Sequence, residues 1–425
     1  MNQTADAPLS HTARLGLGSG TALYIASVLG TGILVLPGLA AAAAGPASIL
    51  AVGIMLVLSI PMAGTFAALA ARFPDPGGVA SYVRTALGDT AARATGYWFY
   101  FGVAMGIPVL MMLGGSYISA VFGVDASVVP WIGLALFVPA FVVNWFGVEV
   151  AGWVQFVLTG LLLLVVIGVG SVAVPAVHPA NLSPFFTHGW SGVGVAMSLF
   201  VWAFAGWEVG THIAAEFRNP RRVIPLATGI ALVVVGVSYV VLQVATVGVL
   251  GVNHEWGTVP LLDLVSATAP GYARVLVGLV ALIVSVGVLN AYMPAFGKLG
   301  AALAERGDLP RRLSPGAKPG EVPRPALAVT GVFGLGAFAL MVAMGSDLAP
   351  FILFHTANMV AIYAAGMLAA TRLLPRWTLG WWMAVVATVL SVGLLALAGY
   401  RLLFPAGFVA IALIVAWRKR SRIEP

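Results

Sequence analysis

The chain contains no cysteine. That excludes a disulfide framework, a thiolate metal site and a cysteine nucleophile. Charge is nearly as scarce: Asp, Glu, Lys and Arg make up 8% of the residues, against 60% apolar. A soluble chain of 425 residues could not cover its surface with so few charges. No phosphate-binding loop of the G-x-x-x-x-G-K-[ST] kind is present, which argues against an ATP-driven pump. The six histidines (His11, His178, His188, His212, His254, His355) are scattered, with no metal-ligand or paired-acid spacing beside them. An embedded transferase would need such a constellation, and a channel would need a continuous polar stripe along several helices. Neither pattern is found, and no cofactor or metal is expected.

What is present in abundance is uncharged apolar sequence, with a mean hydropathy of +1.02. About 20 such residues cross a hydrocarbon core, and runs of that length recur along the chain. Twelve spans are expected, near 18–43, 47–71, 95–121, 128–146, 151–174, 190–213, 225–250, 272–303, 326–345, 348–371, 379–399 and 401–417. They form one membrane domain, 18–417, between tails 1–17 and 418–425. With this count, 19 of the 21 basic residues fall on one side and only Arg274 and Arg401 on the other. Basic loops remain cytoplasmic, so both tails are expected there, in a cell (inner) membrane. The net charge of +7 is then a topology signal and a contact with anionic lipid headgroups, and no nucleic-acid partner is expected.

The first span carries Ser27, Gly30, Thr31, Gly32 and Pro37 at its centre, in "ASVLGTGILVLPG" (residues 26–38). Unwound backbone survives at membrane depth only when it is buried in protein or lines a cavity. Small residues that let helices pack closely are the other explanation. The sixth span is interrupted similarly: Gly206 follows Ala205, and Glu208 and His212 lie within one turn of each other beyond it. Two interrupted spans at matching places in two halves point to a binding site between them. The halves would be repeats of opposite orientation, about 18–174 and 190–371.

Four segments resemble the amino acid–polyamine–organocation transporter superfamily. They are "LGTGILVLP" (29–37), "PDPGGVASYV" (74–83), "FAGWEVGTHIAAEFRNPRRVIPLA" (204–227) and "LAERGDLPRRL" (303–313). The wording of the first and third is most similar to bacterial exporters of methionine and branched-chain amino acids. The resemblance implies an all-α integral membrane protein with a leucine-transporter-type five-plus-five inverted repeat, broken helices one and six, and two C-terminal helices (379–417). It implies alternating-access transport of a neutral, apolar amino acid, coupled to protons and directed to export. Uptake, exchange, uniport or an organocation substrate remain the alternatives, and the oligomeric state stays open.

By the same resemblance the substrate carboxylate meets backbone amides at Gly30, Thr31 and Gly32, where a half-helix presents its positive end. The ammonium meets carbonyls near Ser27, Val28, Phe204 and Ala205. Trp202 or Phe204 forms an aromatic wall, with Gly102 and Met105 lining the pocket. Asn290 faces either the site or a neighbouring helix. Glu208 is either a proton carrier whose charge follows the access state or a carboxyl that satisfies amides freed by the break. His212 and His355 are read as relay groups or as packing residues. The fifth span departs from some proton-coupled relatives: Val154–Leu164 holds no basic residue, so coupling through a lysine there is not supported. Thr159 and Ser285 offer hydroxyls near it, but no complete sodium ligand set emerges.

Overall fold

The computed structural model describes residues 15–30, 32–203, 205–256 and 259–420, without the side chains of residues 202, 349, 397, 419 and 420. Thr31, Phe204 and the side chain of Trp202, three of the expected site groups, lie outside the described residues, as does most of each tail. The described chain is helical throughout, and its one β-type pairing is an isolated bridge between Leu15 and Phe217.

The helices are α1 (Leu17–Leu29), α2 (Gly32–Ala44), α3 (Ser48–Arg72), α4 (Val79–Leu87), α5 (Asp89–Tyr97), α6 (Gly106–Phe122), α7 (Val129–Trp145), α8 (Val148–Ala173) and α9 (Gly189–Ala203). They continue as α10 (Val209–His212), α11 (Pro220–Leu250), α12 (Pro260–Thr268), α13 (Ala273–Glu305), α14 (Arg324–Ala343), α15 (Ala349–Leu373), α16 (Leu379–Leu397) and α17 (Leu403–Arg420). Ten stretches among the described residues are long and apolar enough to cross a bilayer. The first of them, Leu17–Arg72, contains α1, α2 and α3; α9 is apolar but shorter.

Two departures from the expected boundaries have physical reasons. The third span starts at Asp89, not 95, and the seventh at Pro220, not 225; proline at a first helical turn needs no backbone donor, so Pro220 opens a helix rather than delaying one. The charged connection after α3 is not plain loop. Its helix α4 turns Val79, Tyr82 and Val83 into the bundle and packs against α15, while Arg84 at its end reaches the buried Asp308 carboxylate. Basic residues read along the chain suggest a loop; their spacing around a helix makes one face apolar.

α13 lies at the centre, packed on α1, α6, α7, α8 and α14, and two-thirds (67%) of its apolar window is buried. At the other extreme the windows of α16 and α17 are 17% and 11% buried, so these two helices lie at the periphery. α1 packs on α8, α11 and α13, and α2 on α9. The breaks themselves therefore sit inside the bundle, while the outer face of α9 (Val195, 54% exposed) lies at the surface.

At the end of the bundle that carries most of the arginines, Asp308 joins Arg93 (2.8 Å) and Arg84 (2.7 Å), and Arg84 also pairs with Asp89. Arg306 pairs with Asp75. Burial works against the charge of Asp308, but the hydrogen bonds and charges of Arg93 and Arg84 outweigh it and hold the carboxyl below its usual range. Glu216 forms a buried pair with Lys298 (2.6 Å) and accepts the Gly320 N–H, while Lys298 also donates to three carbonyls of the 316–321 loop.

Candidate functional site between two broken helices

α1 stops at Gly30, whose φ of +40° is open to glycine and strained for other residues. The helix resumes at Gly32. A Cβ there would stand 2.4 Å from the Tyr239 hydroxyl, which reaches in to donate to the Leu29 carbonyl at 2.8 Å. An acceptor released by the break is thus satisfied from α11. The amides of the first turn of α2 have no acceptor within their own helix.

The second break lies between α9 and α10. Gly206 has φ +119°, and a Cβ added to it would stand 2.6 Å from the Ser27 carbonyl oxygen, so the two breaks touch. Ser27 Oγ lies 3.0 Å from the Tyr24 carbonyl and 3.2 Å from the Gly206 carbonyl, and its single proton serves one or the other. The amides released at this break are met by side chains. Gly206 N–H donates to Glu208 Oε2 (3.0 Å) and to Tyr363 Oη (3.1 Å), and Trp207 N–H donates to Tyr363 Oη (3.3 Å). The Tyr363 hydroxyl in turn donates to Glu208 Oε2 at 2.7 Å. Glu208 is completely buried, and its second oxygen, Oε1, has no hydrogen-bond partner among the described residues.

Around the point of contact lies a cavity of about 60 Å³. Ser27, Val28, Gly30, Gly32, Ala203 and Ala205 line it from the two breaks. The remaining wall comes from the stretch Val103–Leu110, from Val288 to Phe296 on α13, and from Ile352 and His355 on α15. No charged side chain lines it among the described residues; Ser27, Tyr292 and His355 supply its polar side-chain atoms. A zwitterion entering such a space would have to meet its counter-charges on backbone dipoles.

The third span is distorted where it borders the cavity, passing through a π-helical turn at Trp98–Gly102 and a 3₁₀ turn at Val103–Met105. Pro108 has no N–H, so a regular helix would leave the Ala104 carbonyl without its donor. The distortion aims the Val103 carbonyl at His355 Nδ1, 2.8 Å away. A carbonyl only accepts, so Nδ1 carries the proton, and in the neutral ring Nε2 is left as an acceptor.

Several expected residues fall elsewhere. Met105 and Gly102 do not line the cavity; Val103, Gly106 and Ile107 do, and Gly102 lies against Asn358, with a Cβ position 2.4 Å from that amide. Asn290 also stays outside, tying α13 to α7 and α8. It donates to the Ala151 carbonyl (2.9 Å) and Gln155 Oε1 (3.0 Å) and accepts from Asn144 (2.8 Å). From Gln155 the chain continues through Thr159 to the Ala22 carbonyl of α1. His212 makes no hydrogen bond to Glu208; its ring packs on Phe99, centroids 4.2 Å apart, and fills the space beside Gly78. Tyr292, two residues beyond Asn290, does line the cavity; the important group that sequence reasoning passed over is Tyr363. Tyr363 shares its span with His355, Thr356 and Asn358, so no signal in the sequence singled it out.

Apolar spans that break where they meet, around a cavity without charge, describe a multi-pass membrane carrier. Residues 15–423 match the family model described as amino acid permease, and the chain belongs to that family. It is 30% identical over 395 residues to an uncharacterised amino acid permease of Bacillus subtilis (strain 168), covering 92% of each chain. It is 28% identical over 393 residues to an L-methionine/branched-chain amino acid exporter of Escherichia coli (strain K12), covering 92% of this chain and 93% of the relative. A serine/threonine exchanger of Bacillus subtilis is more distant, 24% identical over 309 residues, with 70% of this chain and 69% of the relative covered. These relatives are permeases and transporters of amino acids, small-molecule cargo moved across a membrane.

Proposed function

We propose that this chain is a secondary transporter of neutral, apolar amino acids of the leucine and methionine kind. It works by alternating access, driven by proton entry and directed to export. The observation that carries the reading is the meeting of the two breaks, at Ser27 and Gly206, on a cavity whose walls hold no charged side chain among the described residues. The Gly30 N–H already donates to the Ala26 carbonyl (3.2 Å), so the amides that open α2 from Gly32 take the carboxylate, carbonyls near Ser27, Val28 and Ala205 take the ammonium, and Val103, Ile107, Val288, Phe296 and Ile352 surround the side chain. The absence of a lining carboxylate weighs against a polyamine or organocation, which would require a counter-charge. The kinship with a methionine and branched-chain exporter supports the substrate class. A cavity of about 60 Å³ holds a few waters, not a leucine, so the walls must part for substrate to enter.

In this reading the spans number twelve: α1 with α2 forms the first and α9 with α10 the sixth. The first ten form two inverted repeats in a single membrane domain, and the peripheral α16 and α17 are the additional pair. The basic end faces the cytoplasm, and with it both termini. Glu208 is the coupling group: Oε2 latches the second break, and Oε1 is free to take a proton as the latch opens.

The test is reconstitution in liposomes with radiolabelled leucine or methionine, with and without an imposed pH gradient, alongside Glu208→Gln. Net flux that follows the gradient, and is lost in the variant while exchange persists, is the expected result. Exchange indifferent to pH in both proteins makes the chain an exchanger or uniporter with a structural Glu208. Failure of all twenty amino acids to exchange sinks the substrate class.

A further inference from the structure

A second, larger cavity of about 380 Å³ lies behind the first, between α3, α9, α15 and α16. None of its lining residues is charged, and four methionines, Met55, Met62, Met197 and Met359, give it adaptable walls. Its inner end shares Ala205 and His355 with the small cavity and reaches Tyr363, the residue that holds the Gly206 and Trp207 amides. Its outer end opens on the membrane-facing surface: Val389 lines it while 68% exposed, and Val195, beside the lining residue Gly194, is 54% exposed.

Two glycines in the wall show that the space is open. A Cβ on Gly194 or on Gly393 would meet no heavy atom within 4 Å, so neither glycine is there to let helices approach. The α3 contribution, Met55 to Met62, falls midway along Ser48–Arg72, at hydrocarbon depth. Water needs several polar partners to stay in such a place. The medium at the mouth is lipid tail.

We propose that this fissure is a binding site for one acyl chain of a membrane phospholipid, whose tip packs against Ala205, His355 and Tyr363 at the back of the second break. A chain long enough to reach the tip supports the closed break, and a shorter or kinked one leaves it loose. Lipid chain length therefore regulates how readily the small cavity opens. Binding is independent of what is transported; the effect on rate rests on the proposed function, so the two are measured separately.

The experiment uses full-length protein in liposomes of phosphatidylglycerol and phosphatidylethanolamine with a photoreactive group at the acyl terminus, followed by mass spectrometric mapping of adducts. Gly194→Phe and Gly393→Phe plug the fissure from different helices, into space the backbone leaves open, and each is checked for monodispersity so that one can stand if the other fails to fold. Adducts on Met197, Met359 or their neighbours, lost in the plugged variants, are expected. Adducts confined to outer faces such as Leu164 or Val233, equal in all three proteins, overturn the site. So does labelling of the fissure by photoreactive leucine in place of lipid, which makes it a second amino acid site. For regulation, leucine exchange by the unaltered protein is expected to vary with acyl length and to lose that dependence in the plugged variants. An unchanged dependence overturns the regulatory role even where the adducts hold.

Discussion

Tyr363 carries more of the second break than any other single side chain. Its hydroxyl accepts two released amides and donates to the buried carboxyl of Glu208. Tyr363→Phe keeps the ring, which packs edge-on against Phe66, and removes only these bonds. Leaving buried polar groups unpaired costs about 1–3 kcal/mol, so a drop in stability of about 2 kcal/mol is expected. It should appear as earlier thermal unfolding in detergent, with slower amino acid exchange; unaltered unfolding would mean that Glu208 alone holds the amides. Glu208 was legible in the chain because an acid in an apolar span stands out. Tyr363 was not, because it lies 157 positions from the amide it receives and a tyrosine in a span is unremarkable by itself. His212 shows the opposite error. One turn from Glu208 along a regular helix, it should share its face, but α10 is only four residues long and follows a kink, which points the ring at Phe99.

At the scale of the element, the question is what a broken helix demands of its sequence. Gly206 needs both its positive φ and its missing Cβ, since the Ser27 carbonyl occupies the place a side chain would take. Gly206→Ala is expected to cost about 1–3 kcal/mol in strain and to abolish transport. The control is Gly168→Ala on α8, where a Cβ meets nothing within 4 Å; in a helix it should be neutral or slightly stabilising. Equal transport by the two variants would show that the breaks need not touch. The positions of both breaks were readable beforehand, because backbone freedom is a local property of glycine. The irregular stretch of the third span was readable in part: Met105, Gly106 and Pro108 marked the place, but the residues that turn inward are Val103, Gly106 and Ile107.

For the whole molecule, the basic end is closed by Asp308, which gathers Arg84 from α4 and Arg93 from α5 beside the end of α13. Removing one member of a buried ionic group leaves the others uncompensated, at about 3–5 kcal/mol. Asp308→Asn should therefore unfold earlier at neutral pH and favour the state open at this end. The sign of the pH effect follows from the lowered pKa of the folded protein. Stabilisation by Asp308 is complete above the carboxylate's unfolded pKa, about 4, and fades as pH falls through the lower folded value. The stability gap between the unaltered protein and the variant should narrow below about pH 4 and stay constant from there to neutrality. A gap that stays unchanged well below about pH 4 would show that the arginines are held by something else.

The chain by itself determined residence in the membrane, the places of the two breaks and the uncharged character of the space between them. Those follow from hydropathy summed over about 20 neighbours and from the conformational freedom of glycine, both of which are local. The tertiary structure alone decided which groups meet the released amides, that Asn290 turns to Asn144 and Gln155 and not to the cavity, and that a second cavity opens beside α16. Such facts depend on the rotation and register of each helix against its neighbours. A shift of one residue turns a side chain by about 100° around the helix axis. Where every face of a span is apolar, hydropathy does not select among those rotations; packing does.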